Sequence, residues 1–321
     1  MIMKQVEERY ISLLTDFGFK RIFGSAPNKD LLICFLNSLF NGRQVVKDVK
    51  YLNPENVGDI YTDRKAIFDV YCEGENGERF IVEMQNAYQT YFKDRALFYS
   101  TFPIREQAPK GSEWDFKLNH VYTIALLNFN MNEEAFNKEE IRHHVQLCDT
   151  ATHKIFYDKL EFIYVEIAKF NKSLDELDTL YDKWLYALKN LYKLTQRPKA
   201  LCDKVFDRLF EEAEIARFTP QEQREYEASK MAYRDIKNSI DTAKREGKEE
   251  GLAEGMEKGL AEGMEKGLAE GMEKGLAEGM EKGMNKRSLE IARKMLTNGI
   301  DTATVMEITG LSESQLKQLK E

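Results

Sequence analysis

Two acidic residues, Asp69 and Glu83, flank a short turn within residues 65–85, KAIFDVYCEGENGERFIVEMQ. The left half alternates, with Ala66, Phe68, Val70 and Cys72 on one face and Ile67, Asp69 and Tyr71 on the other. The right half sets Phe80, Val82 and Met84 against Ile81, Glu83 and Gln85. Between them Gly-Glu-Asn-Gly, residues 74–77, is turn chemistry, because Asn and Gly tolerate positive φ. The pattern predicts a β-hairpin centred near Asn76, with residue 71 facing 81 and Asp69 directly opposite Glu83. Carboxylates so paired have Cβ atoms ~4.5–5.5 Å apart and repel each other. An edge hairpin with a solvated polar face would tolerate them, whereas a divalent cation would use them. Ile67, Tyr71 and Ile81 share their face, which predicts that it is at least half buried, and buried carboxylates need a partner. Gln85, two residues beyond Glu83, adds an amide to the same face.

The order Asp69, a turn, then Glu83-Met84-Gln85 resembles the PD-(D/E)xK nuclease signature in its D…ExQ variant. With DFGFKRIFG at 16–24 and RALFYS at 95–100 in sequence, the chain resembles the recombination-promoting nuclease and transposase family of bacteria. The likeness covers about residues 10–225 and extends into the tail. It implies a metal-dependent DNA endonuclease associated with recombination or transposition, in which Asp69 and Glu83 hold magnesium or manganese. Asp69, Glu83 and Gln85 are then the catalytic set, Gln85 orienting the attacking water or completing the metal shell. Gln85 stands where the wider superfamily usually has lysine, so the general base stays unassigned. A non-cleaving DNA-binding or scaffolding protein derived from a mobile element is the alternative that this Gln leaves open.

The elements around the hairpin must position these groups. Leu13, Leu14, Phe17, Phe19, Ile22 and Phe23 predict a helix over 9–24, ended by Gly24. Its Asp16 and Lys20 read as an i,i+4 surface ion pair; the resemblance instead puts Lys20 beside the active site, against a phosphate. Residues 29–40 read as a core helix, 45–52 as a strand and 53–63 as a loop. Residues 88–102 return to helical spacing, with Arg95 and Tyr99 as i,i+4 neighbours. These read either as aromatic packing around a snorkelling arginine or, by the resemblance, as groups aimed at the scissile phosphate. Residues 121–129 and 161–167 read as strands, and 174–194 and 199–217 as helices. The expected fold is α/β, a restriction-endonuclease-like PD-(D/E)xK core with a mixed sheet flanked by helices, followed by an all-helical C-terminal tail.

Composition limits the alternatives. Four cysteines without a Cys-x-x-Cys pair argue for a reducing compartment and against a disulfide frame or thiolate zinc site. His143, His144 and Cys148 lie close together, and the expectation there is a polar helix surface. No apolar run is long enough for a bilayer and MIMKQVEERY is no signal peptide, so a cytoplasmic protein without a membrane partner is expected. The net charge of −8 means that DNA contacts must come from local basic clusters.

The tail changes character. GLAEGMEK occurs four times unchanged over 251–282, with glycine at every fourth position from 247 to 283. Each Gly in a helix costs about 1 kcal/mol relative to Ala, so a frayed, semi-helical spacer is expected, with self-association of the tail as the alternative. Residues 288–298, 302–309 and a segment opened by Ser312 with Gln315 read as three helices, the last with a capping box. Gly310 at the turn resembles a helix-turn-helix. Five basic and five acidic side chains in 287–321 fit a helical oligomerisation module equally well. The expected divisions are a nuclease-like domain over 1–225, a spacer over 226–286 and the small module over 287–321.

Overall fold

The computed structural model describes residues 8–56, 66–108 and 114–319. The chain divides into two units, residues 1–242 and 243–321.

The first unit opens with residues 8–15 outside any helix, ending in a turn closed by Thr15 N–H donating to Ser12 O. They are tied to residues 213–215 by Ile11 N–H donating to Ala213 O and Ile215 N–H donating to Arg9 O. Helix α1 therefore begins only at Asp16 and runs Asp16–Phe23, later than the apolar spacing predicts. Thr15 caps it by accepting the Gly18 N–H, and a Cβ at Gly18 would lie 2.1 Å from Ser12 O, so only glycine fits there. Helix α2, Lys29–Phe40, matches its expected span, and Asn41 closes it in the left-handed region.

Strands β1 (Val49–Tyr51), β4 (Val70–Gly74), β5 (Arg79–Gln85), β6 (Val121–Leu127), β7 (Arg142–Cys148) and β8 (Ile155–Glu166) form the sheet. Among the described residues its order is β1-β4-β5-β6-β8-β7. The β5–β6 and β6–β8 pairs are parallel and the rest antiparallel, so the sheet is mixed. Short strands β2 (Glu55–Asn56) and β3 (Ala66–Ile67) pair separately. The central strand β6 is buried throughout, as its nearly continuous apolar sequence requires.

Helices cover both sheet faces. On one, α1, α2, α4 (Leu180–Asn190) and α5 (Lys204–Glu212) pack Phe19, Phe35, Trp184 and Phe206 against Val82, Ile124 and Ile163. On the other lies α3, Phe92–Glu106, whose Phe92 and Ala96 meet Ala125, Leu127 and Tyr164. Its Phe102 joins Phe68, Tyr71 and Ile81. Alternation along β5 sends Phe80, Val82 and Met84 to the first face and Ile81 and Glu83 toward α3.

Three local expectations are corrected. His143, His144 and Cys148 lie on β7 and not on a helix; their period-two alternation pairs with β8, and His143 is buried beside Glu166 at 3.0 Å. Ile67 is 57% exposed, because β3 leaves the hairpin for its own small sheet. Phe68 takes the buried place beside Tyr71 instead of sharing a face with Val70 and Cys72. The glycine repeat is continuous helix within α6, Pro220–Thr297. Leu, Ala, Glu, Met and Lys, the strongest helix formers, fill three of every four positions and outweigh the glycines.

Within the second unit, α7 (Thr302–Thr309) is capped by Asp301 and ends at Gly310, φ +68°. Helix α8, Glu313–Gln318, has the expected Ser312–Gln315 capping box. Ala292, Val305, Leu311 and Leu316 form its small core. Among the described residues no helix is long and apolar enough to cross a membrane.

Candidate active site

The hairpin pairs Tyr71 with Ile81 and Val70 with Val82, which is the predicted register. Gly77 takes the positive φ of the turn, +84°, and Gly74 N–H donates to Glu78 O. Counting from that bond, the next hydrogen-bonded pair beyond Val70 and Val82 would be Phe68 with Met84, and Asp69 and Glu83 would fall at a position where side chains approach most closely. The chain departs from the ladder there. Phe68 N–H donates to Pro54 O, the backbone bends at Asp69, and Asp69 Oδ2 accepts the Met84 N–H at 2.9 Å. The carboxylate thus takes over a bond that a continued strand would have made, which fixes its direction.

Glu83 is 7% exposed, although it is a carboxylate. Its Oε2 accepts from Gln85 Nε2 at 3.1 Å and lies 3.7 Å from Arg95 Nη2. Its Oε1 is buried with no hydrogen-bond partner among the described residues. Burial, with the Asp69 charge adding to it, pushes the Glu83 carboxyl up to about 8, against the pull of Arg95, Gln85 and Lys20. Burial also raises Asp69, opposed by the Met84 N–H and Lys20.

Cations stand on two sides. From α1, Lys20 Nζ is 2.7 Å from Asp16 Oδ1 and 3.8 Å from Asp69 Oδ1. Burial works against its charge, but Asp16, Asp69 and Glu83 outweigh that and hold its pKa above the usual lysine value. The i,i+4 pair of the sequence is therefore present and also reaches the site. From α3, Arg95 Nη1 donates to Gln89 Oε1 at 2.8 Å, while Nε and Nη2 are buried without a hydrogen-bond partner among the described residues. Its guanidinium lies 5.6 Å from the ring centroids of both Phe92 and Tyr99. Tyr99 packs on Phe68 at 5.4 Å, and burial followed by the Glu83 charge raises its phenol. The fold thus gathers Asp69, Glu83, Gln85, Lys20, Arg95 and Tyr99 around one spot. Asp16, Gln89 and the Met84 N–H, which orient three of them, carry no sequence signal beyond the Asp16–Lys20 spacing.

Residues 13–243 match the model of a family described as PD-(D/E)XK nuclease family transposase. The chain belongs to this family. Residues 285–321 match a second model, the C-terminal HTH domain of the Rpn/YhgA-like nuclease family. No curated protein and no solved structure gives a match. As a PD-(D/E)XK family member the chain presents two carboxylates; among its described residues no group of three His, Cys, Asp or Glu residues is placed to share an ion. That donor set suits magnesium, which keeps several waters and binds through one or two carboxylates plus substrate phosphate. Buried Glu83 Oε1, without a hydrogen-bond partner among the described residues and on a carboxyl that feels the Asp69 charge, is the kind of atom that a cation satisfies.

Proposed function

We propose that this chain is a metal-dependent DNA endonuclease that hydrolyses phosphodiester bonds in recombination or transposition. The observation that carries this reading is the buried Asp69–Glu83 pair, with Glu83 Oε1 lacking a hydrogen-bond partner among the described residues. Asp69 and Glu83 would hold the ion. Magnesium or manganese bound there supplies Lewis-acid charge for in-line attack of water on phosphorus. Gln85 carries no charge, and its amide gives one N–H to Glu83, so its carbonyl is the acceptor it has to orient a water. Lys20 sets a positive charge beside Asp69, and Arg95 sets a second one 3.7 Å from Glu83. Tyr99 flanks that arginine and limits where the phosphate can lie. The helices of 285–321 would add a second DNA contact.

Nicking of supercoiled plasmid by the purified chain tests this. Magnesium or manganese should support nicking, Asp69→Ala should abolish it, and Gln85→Ala should slow it by roughly 10²-fold, the cost of a misplaced reacting water. Binding of DNA without metal-dependent nicking would favour the non-cleaving alternative, the reading suggested by Gln85 in place of lysine.

A further inference from the structure

Helix α3 buries one stripe, Phe92, Ala96, Ser100 and Pro103, against the sheet. The neighbouring stripe is opened by the N-cap Tyr91 and continued inside the helix by Arg95, Phe98 and Phe102, spaced by four, three and four residues. It is the stripe that carries Arg95 to within 3.7 Å of Glu83. Two of its aromatic side chains face outward: Tyr91 is 74% exposed and Phe98 is 44% exposed. Phe98 is held in a T-shaped contact with buried Phe102, ring centroids 5.2 Å apart, so its position is fixed although it is open to solvent. Nothing in the catalytic reading uses either ring.

We infer that Tyr91 and Phe98 form a stacking platform for unpaired bases beside the scissile phosphate, so that the substrate is DNA with a single-stranded or opened segment at the cut. This rests on the nuclease reading above and names its substrate class. Every base has a π-face, and stacking on aromatic side chains binds single strands without sequence preference. In an intact duplex those faces are covered by neighbouring bases, so exposed rings gain nothing from it. A net charge of −8 gives no global field that attracts phosphate, which leaves stacking a larger share. Position decides against an apolar protein partner as the occupant. Arg95 sits between the two rings on the stripe and reaches to 3.7 Å from Glu83, so whatever lies on the rings lies beside the carboxylate pair, where under the nuclease reading the nucleic acid must run.

The test is metal-free binding by the full chain, read by fluorescence anisotropy on three labelled probes: an oligothymidine, the same oligomer with abasic sites in its centre, and a duplex of equal length. The abasic probe keeps every phosphate and loses only the faces. The wild type should bind intact oligothymidine about tenfold or more tighter than the abasic probe, the magnitude of stacking on one or two rings. Tyr91→Ala with Phe98→Ala should erase that difference. Tyr91→Phe with Phe98→Tyr should retain it, which separates loss of the rings from loss of fold. Equal affinity of the wild type for intact and abasic probes, or a preference for duplex, overturns the inference and leaves the stripe to a protein partner. Cleavage plays no part in this readout, so failure of plasmid nicking and failure of the platform are told apart.

Discussion

At the scale of single residues, Glu83 is a charge in a place that penalises charge. Burial and Asp69 both oppose its ionised form, and a bound cation is what would reverse that balance. Glu83→Gln should therefore raise the thermal midpoint of the metal-free protein at pH 8, with each 1 kcal/mol gained worth about 2–4 °C in a domain of this size. Magnesium should raise the wild-type midpoint and leave the variant unchanged. A wild type indifferent to magnesium and manganese in the same thermal scan would remove the metal from this site. Glu161 behaves in the opposite way. Burial raises its pKa, but His144 Nδ1 at 2.6 Å and Arg43 Nη2 at 2.9 Å more than compensate, and the carboxyl is held below its ordinary value of 4.5. The native state thus binds fewer protons than the unfolded chain, so this contribution to stability is complete above pH 4.5 and is lost as pH falls through the lowered folded value. Glu161→Gln should flatten the decline in urea stability below pH 4.5; an unchanged acid slope would show that the cluster contributes nothing.

At the scale of elements, two glycines make opposite demands. Gly77 closes the hairpin at φ +84°, and a Cβ there would meet Asn119 Nδ2 at 2.4 Å. Gly77→Ala should cost about 1 kcal/mol or more in chemical denaturation and disturb the strand that carries Glu83. Gly255, inside α6, has nothing within 4 Å of its Cβ direction, and its sister positions are equally open. Gly255→Ala should stabilise that helix by about 1 kcal/mol, seen as slower amide exchange in the repeat. Faster exchange would mean that the bare glycine surface is used by something that packs closely on it.

At the scale of the whole molecule, the family matches assign residues 13–243 and 285–321 to separate models. The repeat lies between them. If the end segment adds a DNA contact, truncation at Lys286 should weaken binding to long DNA at low protein concentration and leave cleavage of short oligonucleotides nearly unchanged, because the carboxylate pair is untouched. Equal plasmid binding by the truncated and full chains, measured by gel shift, would take 287–321 out of DNA recognition.

What the sequence determined by itself was local and periodic. Period-two alternation on both sides of residues 74–77 fixed the hairpin register, since a slip by one would have turned Val70, Cys72, Phe80 and Val82 outward. The apolar run defined α2, and Asp301, Gly310, Ser312 and Gln315 defined the last two helices through cap chemistry. What only the tertiary structure decided was depth and aim. The bend at Asp69 exists because Phe68 bonds Pro54, a partner that no hairpin pattern specifies. His143 and His144 became strand residues through pairing with β8, and Glu83 became a buried charge because the parallel β5–β6–β8 order lays α3 across it. Those contacts join residues far apart in the chain, and their free energy depends on what each surface meets rather than on the spacing within either segment.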